Sequence, residues 1–255
     1  MEIRINKLLS SRGVCSRREA DRLTGEGRVT ADGEVVATGQ KVDEGACICI
    51  DGKAVGRDEE KVLIAYNKPA GVVCTTTDRF GERDIVSAVG MDKRIYPVGR
   101  LDKESTGLIF LTNDGAFMNE ITKASGQHEK EYIVRINKPV TELFLKRMQE
   151  GVYLEELDKT TAKCKAWICE DENRTGCESS RNRAQGKKHS HTFRIILTQG
   201  LNRQIRRMCE SCGARVTALK RVRIMNIKLG DLPEGGYRFI EGSEYEALRK
   251  GLNLS

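Results

Sequence analysis

The chain has 255 residues, 32% of them charged, with 44 Lys and Arg against 37 Asp and Glu, leaving a net charge of +7. That length allows one or two domains with a proper core, and the composition is ordinary for a soluble protein. No stretch approaches the roughly 18 apolar residues of a membrane span and no apolar leader opens the chain, so no membrane partner and a cytoplasmic location are expected.

Residues 1–57 read as a small module. Leu8 and Leu9 alternate with basic positions at helical spacing between Asn6 and Arg12. Gly13 stops that helix, and Ser16-x-x-Glu19 is a capping box that opens a second. Arg4, Lys7, Arg12, Arg17 and Arg18 follow one another with no acid between Arg4 and Arg18. An acid-free basic face suits phosphates better than a protein surface, so Arg4, Lys7, Arg17 and Arg18 are candidate RNA-binding residues. Beyond Gly27 come a strand at 29–31, an Asp32-Gly33 hairpin signal, a strand at 46–50 and an Asp51-Gly52 turn.

A polar linker over 52–60 leads to a larger α+β domain, 61–255. Strands are expected at 62–66, 72–75, 108–111, 131–136, 162–168 and 193–197, with a Pro69 to Gly71 turn after the first. Helices are expected over 116–123 and from Thr141 to a stop at Gly151. Many strands with sparse helices predict an antiparallel or mixed sheet. Residues 170–191 are polar and basic with no apolar period, and read as a flexible insertion.

The nine cysteines are odd in number and irregularly spaced, so reduced thiols are expected. Ile205, Met208, Cys209 and Cys212 follow the buried stripe of a helix, which disposes of Cys209-x-x-Cys212 as a metal half-site. Cys164, Cys169, Cys177, His189 and His191 match no standard zinc spacing, and no metal is expected. On the helix face opposite that stripe, Arg203, Arg206 and Arg207 belong to a second basic cluster that runs to Arg223 with Glu210 as its single acid.

Gly99-Arg100-Leu101-Asp102-Lys103 places one carboxylate between cations ahead of an apolar strand, as an active-site loop does. With Asn67-Lys68-Pro69-x-Gly71, Lys130-Glu131-Tyr132 and Gln204-Ile205-Arg206-Arg207-Met208, it occurs in the order found in the pseudouridine synthases that join an S4 domain to a catalytic domain. The chain resembles that family over nearly its whole length except 170–191. The runs 107–113, 128–132 and 200–209 are most similar to the F-type enzymes of large-subunit, 23S ribosomal RNA. The N-terminal motifs likewise resemble the S4 RNA-binding domain.

The resemblance implies a curved, mostly antiparallel mixed sheet with peripheral helices and a cleft across its middle. It implies that Asp102 is the catalytic carboxylate, as nucleophile or as base, with Arg206 as its ion-pair partner. Tyr132 would pack on the flipped uracil, Arg100 would hold RNA, Ile205 would line the pocket, and Lys68 and Pro69 would be scaffold. The RNA-binding set would include Arg203 and Arg207. Pseudouridine formation breaks the N1 to C1′ bond and joins C5 to C1′, an isomerisation without redox change or group donor, so no cofactor is implied. The implied partner is structured RNA, 23S ribosomal RNA first and a transfer-RNA stem-loop as the alternative, with the protein a monomer that needs no obligate protein partner.

Other functions fit less well. A silent RNA-binding or ribosome-assembly protein would not need Asp102, Tyr132 and Arg206 together. A methyltransferase would carry Gly-x-Gly-x-x-Gly, which is missing here. A hydrolase would set a histidine or second carboxylate beside Asp102 in a matching motif.

Overall fold

The computed structural model describes residues 1–56, 60–75, 83–123, 126–169 and 190–254. Residues 170–189 of the expected insertion therefore lie outside the described residues. The chain forms two compact units, one from Met1–Val62, Met91–Tyr96 and Thr112–Gly115, the other from Leu63–Gly90, Pro97–Leu111 and Ala116–Ser255.

The first unit runs β1 (Glu2–Arg4), α1 (Ile5–Ser11), α2 (Arg17–Gly25), β2 (Val29–Ala31), β3 (Glu34–Val35), β4 (Lys41–Asp43), β5 (Ile48–Ile50) and β6 (Lys53–Ala54). The Ser16 hydroxyl accepts the Glu19 N–H at 3.1 Å and so satisfies one of the free donors at the start of α2. Asp32 and Gly33 both have positive φ, 50° and 89°, as the tight β2–β3 hairpin requires. Four strands form a sheet in the order β3-β2-β5-β6. Ile5, Leu8 and Leu9 of α1, Ala20 and Leu23 of α2, and Val29 and Ile48 of the sheet make the core. The β1–β4 ladder, Glu2 to Arg4 against Asp43 to Lys41, was not legible, since three residues carry no period.

The second unit continues with β7 (Leu63–Lys68), α3 (Ile85–Val89), β8 (Tyr96–Val98), β9 (Thr106–Thr112), α4 (Gly115–Thr122), β10 (Lys130–Ile136), α5 (Glu142–Glu150), β11 (Tyr153–Leu154) and β12 (Lys159–Thr160). It ends with β13 (Lys165–Ile168), β14 (Thr192–Leu197), α6 (Gln204–Ser211), β15 (Val216–Ile224), β16 (Ile227–Lys228), β17 (Tyr237–Phe239) and α7 (Gly242–Gly251). One mixed sheet follows the order β13-β14-β10-β15-β9-β7-β17, with β16 beside β15 and β8 beside β9. The β10 pairings to β14 and β15 are antiparallel, and β15 runs parallel to β9. Two cores serve the sheet. One packs Phe144 and Met148 of α5 and Met208 and Cys209 of α6 on Val134 and Phe193; the other packs Phe117 of α4 and Leu248 of α7 on Ala65, Leu108 and Phe110.

Three expectations change. The strand expected at 62–66 runs on through Asn67 and Lys68, because Asn67 exchanges backbone hydrogen bonds with Gly235 and Gly236. The strand expected at 72–75 does not form: Val73 makes an isolated bridge to Asp84, taking the Arg83 carbonyl and the Ile85 N–H at the start of α3. The strand expected at 162–168 shortens to β13 at the end of the sheet order, and there Ala166 is buried while Trp167 and Ile168 are exposed. No helix among the described residues is long and apolar enough to cross a membrane.

Candidate active site

Asp102 lies on the loop between β8 and β9, and backbone chemistry pins that loop from below. The Leu101 N–H donates to the Cys74 sulfur at 3.4 Å, the Gly71 N–H donates to the Lys103 carbonyl at 2.9 Å, and the Ser105 N–H closes a turn on the Asp102 carbonyl at 3.0 Å. Lys68, with no exposed surface, spends its ammonium on three carbonyls: Pro69 and Val72 at 2.8 Å and Lys103 at 3.2 Å. Burial pushes its pKa down, and nearby acids oppose this. The scaffold role expected for Lys68 thus takes a concrete form, since this one side chain ties the end of β7 to the Asp102 loop. Lys68→Met keeps the apolar stem but leaves buried carbonyls without a donor, an expected cost of about 2–4 kcal/mol in urea denaturation.

The other side of Asp102 faces α6. Arg206 Nε lies 3.5 Å and Arg203 Nη1 3.6 Å from Asp102 Oδ2, so the carboxylate sits against two guanidinium groups. Arg206 also donates from Nη2 to the Ser105 hydroxyl at 3.3 Å, anchoring it to the same loop. Arg203 precedes the helix in a left-handed conformation, φ 51°, and its Nη1 also lies 3.8 Å from Glu104 Oε2 on the same loop. Ile205, next on α6, is buried in the core. Tyr132, half-buried on β10, stands beside β15, where the Arg221 guanidinium lies 6.0 Å from its ring centroid.

Two cavities share Arg100, Asp102, Tyr132, Gly200, Leu201 and Arg203. The smaller, about 90 Å³, adds Ser105, Ile205 and Arg206. The larger, about 440 Å³, adds Phe110, Ile121 and Ile224 from one core, together with Lys130 and Arg221. Its volume falls in the range of roughly 300–1,000 Å³ usual for small-ligand sites. A roomier cleft of about 530 Å³ lies elsewhere, where Glu150, Glu155, Glu156 and Glu210 outnumber Arg147 and Arg207. That acid surplus repels a polyanion, so size is a worse guide here than charge.

Most of the expected site residues converge: Arg100, Asp102, Tyr132, Arg203, Ile205 and Arg206 line one or both cavities at Asp102. Arg207 does not. It pairs with Glu156, donates to the Asn202 carbonyl at 3.0 Å and lines the other cleft. The second basic cluster is likewise not one surface, since Arg223 is bound to Glu129 and Glu131 and Arg221 is buried. Arg4, Lys7, Arg17 and Arg18 are all exposed on the first unit. Sequence reasoning missed Lys130 and Arg221; strand alternation places Lys130 on the Tyr132 side, but nothing in the spacing announces Arg221. Among the described residues no group of His, Cys, Asp and Glu could hold a metal ion, while Cys177 and His189 lie outside them. Burial pushes the Cys209 thiol up to about 12, as befits a packing residue.

A mixed sheet carrying a carboxylate against two arginines, in a chain whose first unit exposes Arg4, Lys7, Arg17 and Arg18, offers cationic groups to a polyanionic partner. Residues 62–211 match the RNA pseudouridylate synthase family and residues 3–55 the S4 domain. The chain belongs to the RNA pseudouridine synthases, enzymes that isomerise uridine in RNA. It is 44% identical to the dual-specificity RNA pseudouridine synthase RluF of Escherichia coli K12, over 95% of this chain and 77% of that protein. It is 35% identical to the ribosomal large subunit pseudouridine synthase B of Vibrio vulnificus, over 100% of this chain and 77% of that one. A solved pseudouridylate synthase structure superposes with a TM-score of 0.66 at 26% identity, covering 96% of this chain and 99% of that one.

Proposed function

We propose that this enzyme converts a specific uridine of large-subunit ribosomal RNA to pseudouridine, with Asp102 as its catalytic carboxylate. The observation that carries the reading is Asp102 at the junction of two cavities, 3.5 Å from Arg206 and 3.6 Å from Arg203. Paired in this way, the carboxylate is oriented toward the space where the ribose of a flipped nucleotide must lie. It acts there either by attacking the substrate or by removing a sugar proton. Tyr132 faces the uracil, Ile205 closes the pocket wall, and Arg100 holds RNA at the rim. The names of the relatives support the target: one acts on the large ribosomal subunit, and dual specificity in another supports a second RNA, for which a transfer-RNA stem-loop is the candidate. The enzyme works as a cytoplasmic monomer, with residues 61–255 as its catalytic domain. Mapping pseudouridines by chemical modification and primer extension, in cells with and without the gene, tests the target; an unchanged large-subunit map refutes it.

Residues 1–57 then serve as the RNA-holding module through Arg4, Lys7, Arg17 and Arg18, with Arg203 and Arg207 contributing from the catalytic domain. Replacing the four N-terminal cations with Gln is expected to weaken RNA binding and lower the log–log salt slope by roughly three to four. Filter binding across a salt series measures this, and an unaltered slope counts against the module.

A further inference from the structure

We propose that Lys130 and Arg221 form a cationic pocket for an anionic oxygen of the RNA substrate, in the larger cavity beside Asp102. The inference rests on the function proposed above. Strand alternation puts Lys130 and Tyr132 on one side of β10 and sends Glu131 to the other, where Arg194 and Arg223 hold it at 3.0 and 2.9 Å. Arg221 stands opposite Tyr132 on β15 and is only 3% exposed. Its Nε donates to the Leu108 carbonyl at 2.6 Å, while its buried Nη2 has no hydrogen-bond partner among the described residues. The Lys130 ammonium reaches the His128 carbonyl at 3.3 Å.

Two cations therefore line a cavity whose one carboxylate among the described residues, Asp102, already faces Arg203 and Arg206. A buried cation without a counter-charge is unfavourable, so the arrangement makes sense if the counter-charge arrives with the substrate. Apolar walls from Phe110, Ile121 and Ile224 would strengthen the attraction by excluding water. Burial, and secondarily Arg221, push the Lys130 pKa down to about 8. The other charged groups on the cavity are Arg100 and Asp102 of the loop and Arg203 before α6, with Tyr132 on the lysine's own strand. Lys130 must be protonated to meet an anion, so activity falls as pH rises past about 8.

Two substrate oxygens share this chemistry. When N1–C1′ breaks, the bonding pair leaves with the base and charge spreads to a uracil oxygen; alternatively the oxygen belongs to a backbone phosphate flanking the flipped nucleotide. Single-turnover rates and RNA affinities of Lys130→Met, Lys130→Arg, Arg221→Lys and Asp102→Asn, across pH and salt, separate the cases. If the uracil oxygen is bound, Lys130→Met lowers the rate roughly a hundredfold at unchanged affinity and loses the alkaline fall in activity. If a phosphate is bound, affinity drops and the salt slope falls by about one while the bound-state rate is kept. In either case Lys130→Arg, which keeps the charge, recovers much of the loss. Wild-type rate, affinity, salt slope and pH profile in both Lys130→Met and Arg221→Lys, with Asp102→Asn inactive, overturn the pocket and leave the function standing. A wild-type enzyme that modifies no RNA overturns both.

Discussion

Asp102→Asn is expected to abolish pseudouridine formation, slowing the single-turnover reaction by at least about 10,000-fold, or ~5.5 kcal/mol, with RNA affinity nearly unchanged. Asparagine keeps the volume and a carbonyl acceptor, and the loop beneath it is held by backbone groups of Leu101, Lys103 and Ser105 that the substitution does not touch. What disappears is the charge: an amide neither attacks a sugar carbon nor accepts a sugar proton at useful rates. Arg206 keeps its Ser105 contact at 3.3 Å, so it stays in place facing a neutral group. Release of tritium from RNA labelled at uridine C5 reads the chemistry directly, and filter binding reads the affinity. Tritium release at the wild-type rate would remove Asp102 from the mechanism.

How far the sequence carried this site differs from residue to residue. Asp102, Tyr132 and Arg206 stand in motifs whose order carries the resemblance, and the structure brings the three to the smaller cavity. Helical spacing alone put Arg206 and Arg207 on one face, because one residue of spacing says little about what waits opposite each; the resemblance singled out Arg206 but left Arg207 as an RNA contact. Arg206 meets Asp102 while Arg207 is captured by Glu156, which lies far away in the sequence. Arg221 was invisible for a subtler reason. The β10–β15 ladder shifts register between Glu131 and Tyr132, pairing them with Arg223 and Arg221 and skipping Val222. Such a bulge redirects a side chain without leaving a mark in the hydrophobic pattern. The strand expected at 72–75 failed for a similar cause: its backbone groups are claimed by Lys68, Arg83 and Ile85, partners that local propensity does not see. Capping at Ser16 and Thr141 and the Asp32-Gly33 turn were readable because each depends on a few adjacent residues.

Gly107→Ala is expected to cost about 4 kcal/mol or more in urea denaturation and to inactivate the protein that still folds. Gly107 is the second residue of β9, just after the Asp102 loop, and pairs with Arg221 across the parallel ladder. A methyl group there would sit 2.2 Å from the Arg221 carbonyl oxygen and 2.8 Å from its nitrogen, at a φ of +98° that side-chain-bearing residues rarely adopt. Neither strand can yield cheaply. Moving β15 drags Arg221 from the Leu108 carbonyl, and moving β9 shifts Ser105, which Arg206 holds. Gly99→Ala supplies the control, because Gly99 has φ +75° but open space around a Cβ. That variant should lose only the conformational preference, about 1–2 kcal/mol. The difference between the two midpoints isolates the steric contact between β9 and β15. Equal losses at Gly99 and Gly107 would mean that the strands are not in close contact at Arg221, and that the unpartnered guanidinium nitrogen there is not fixed by the backbone.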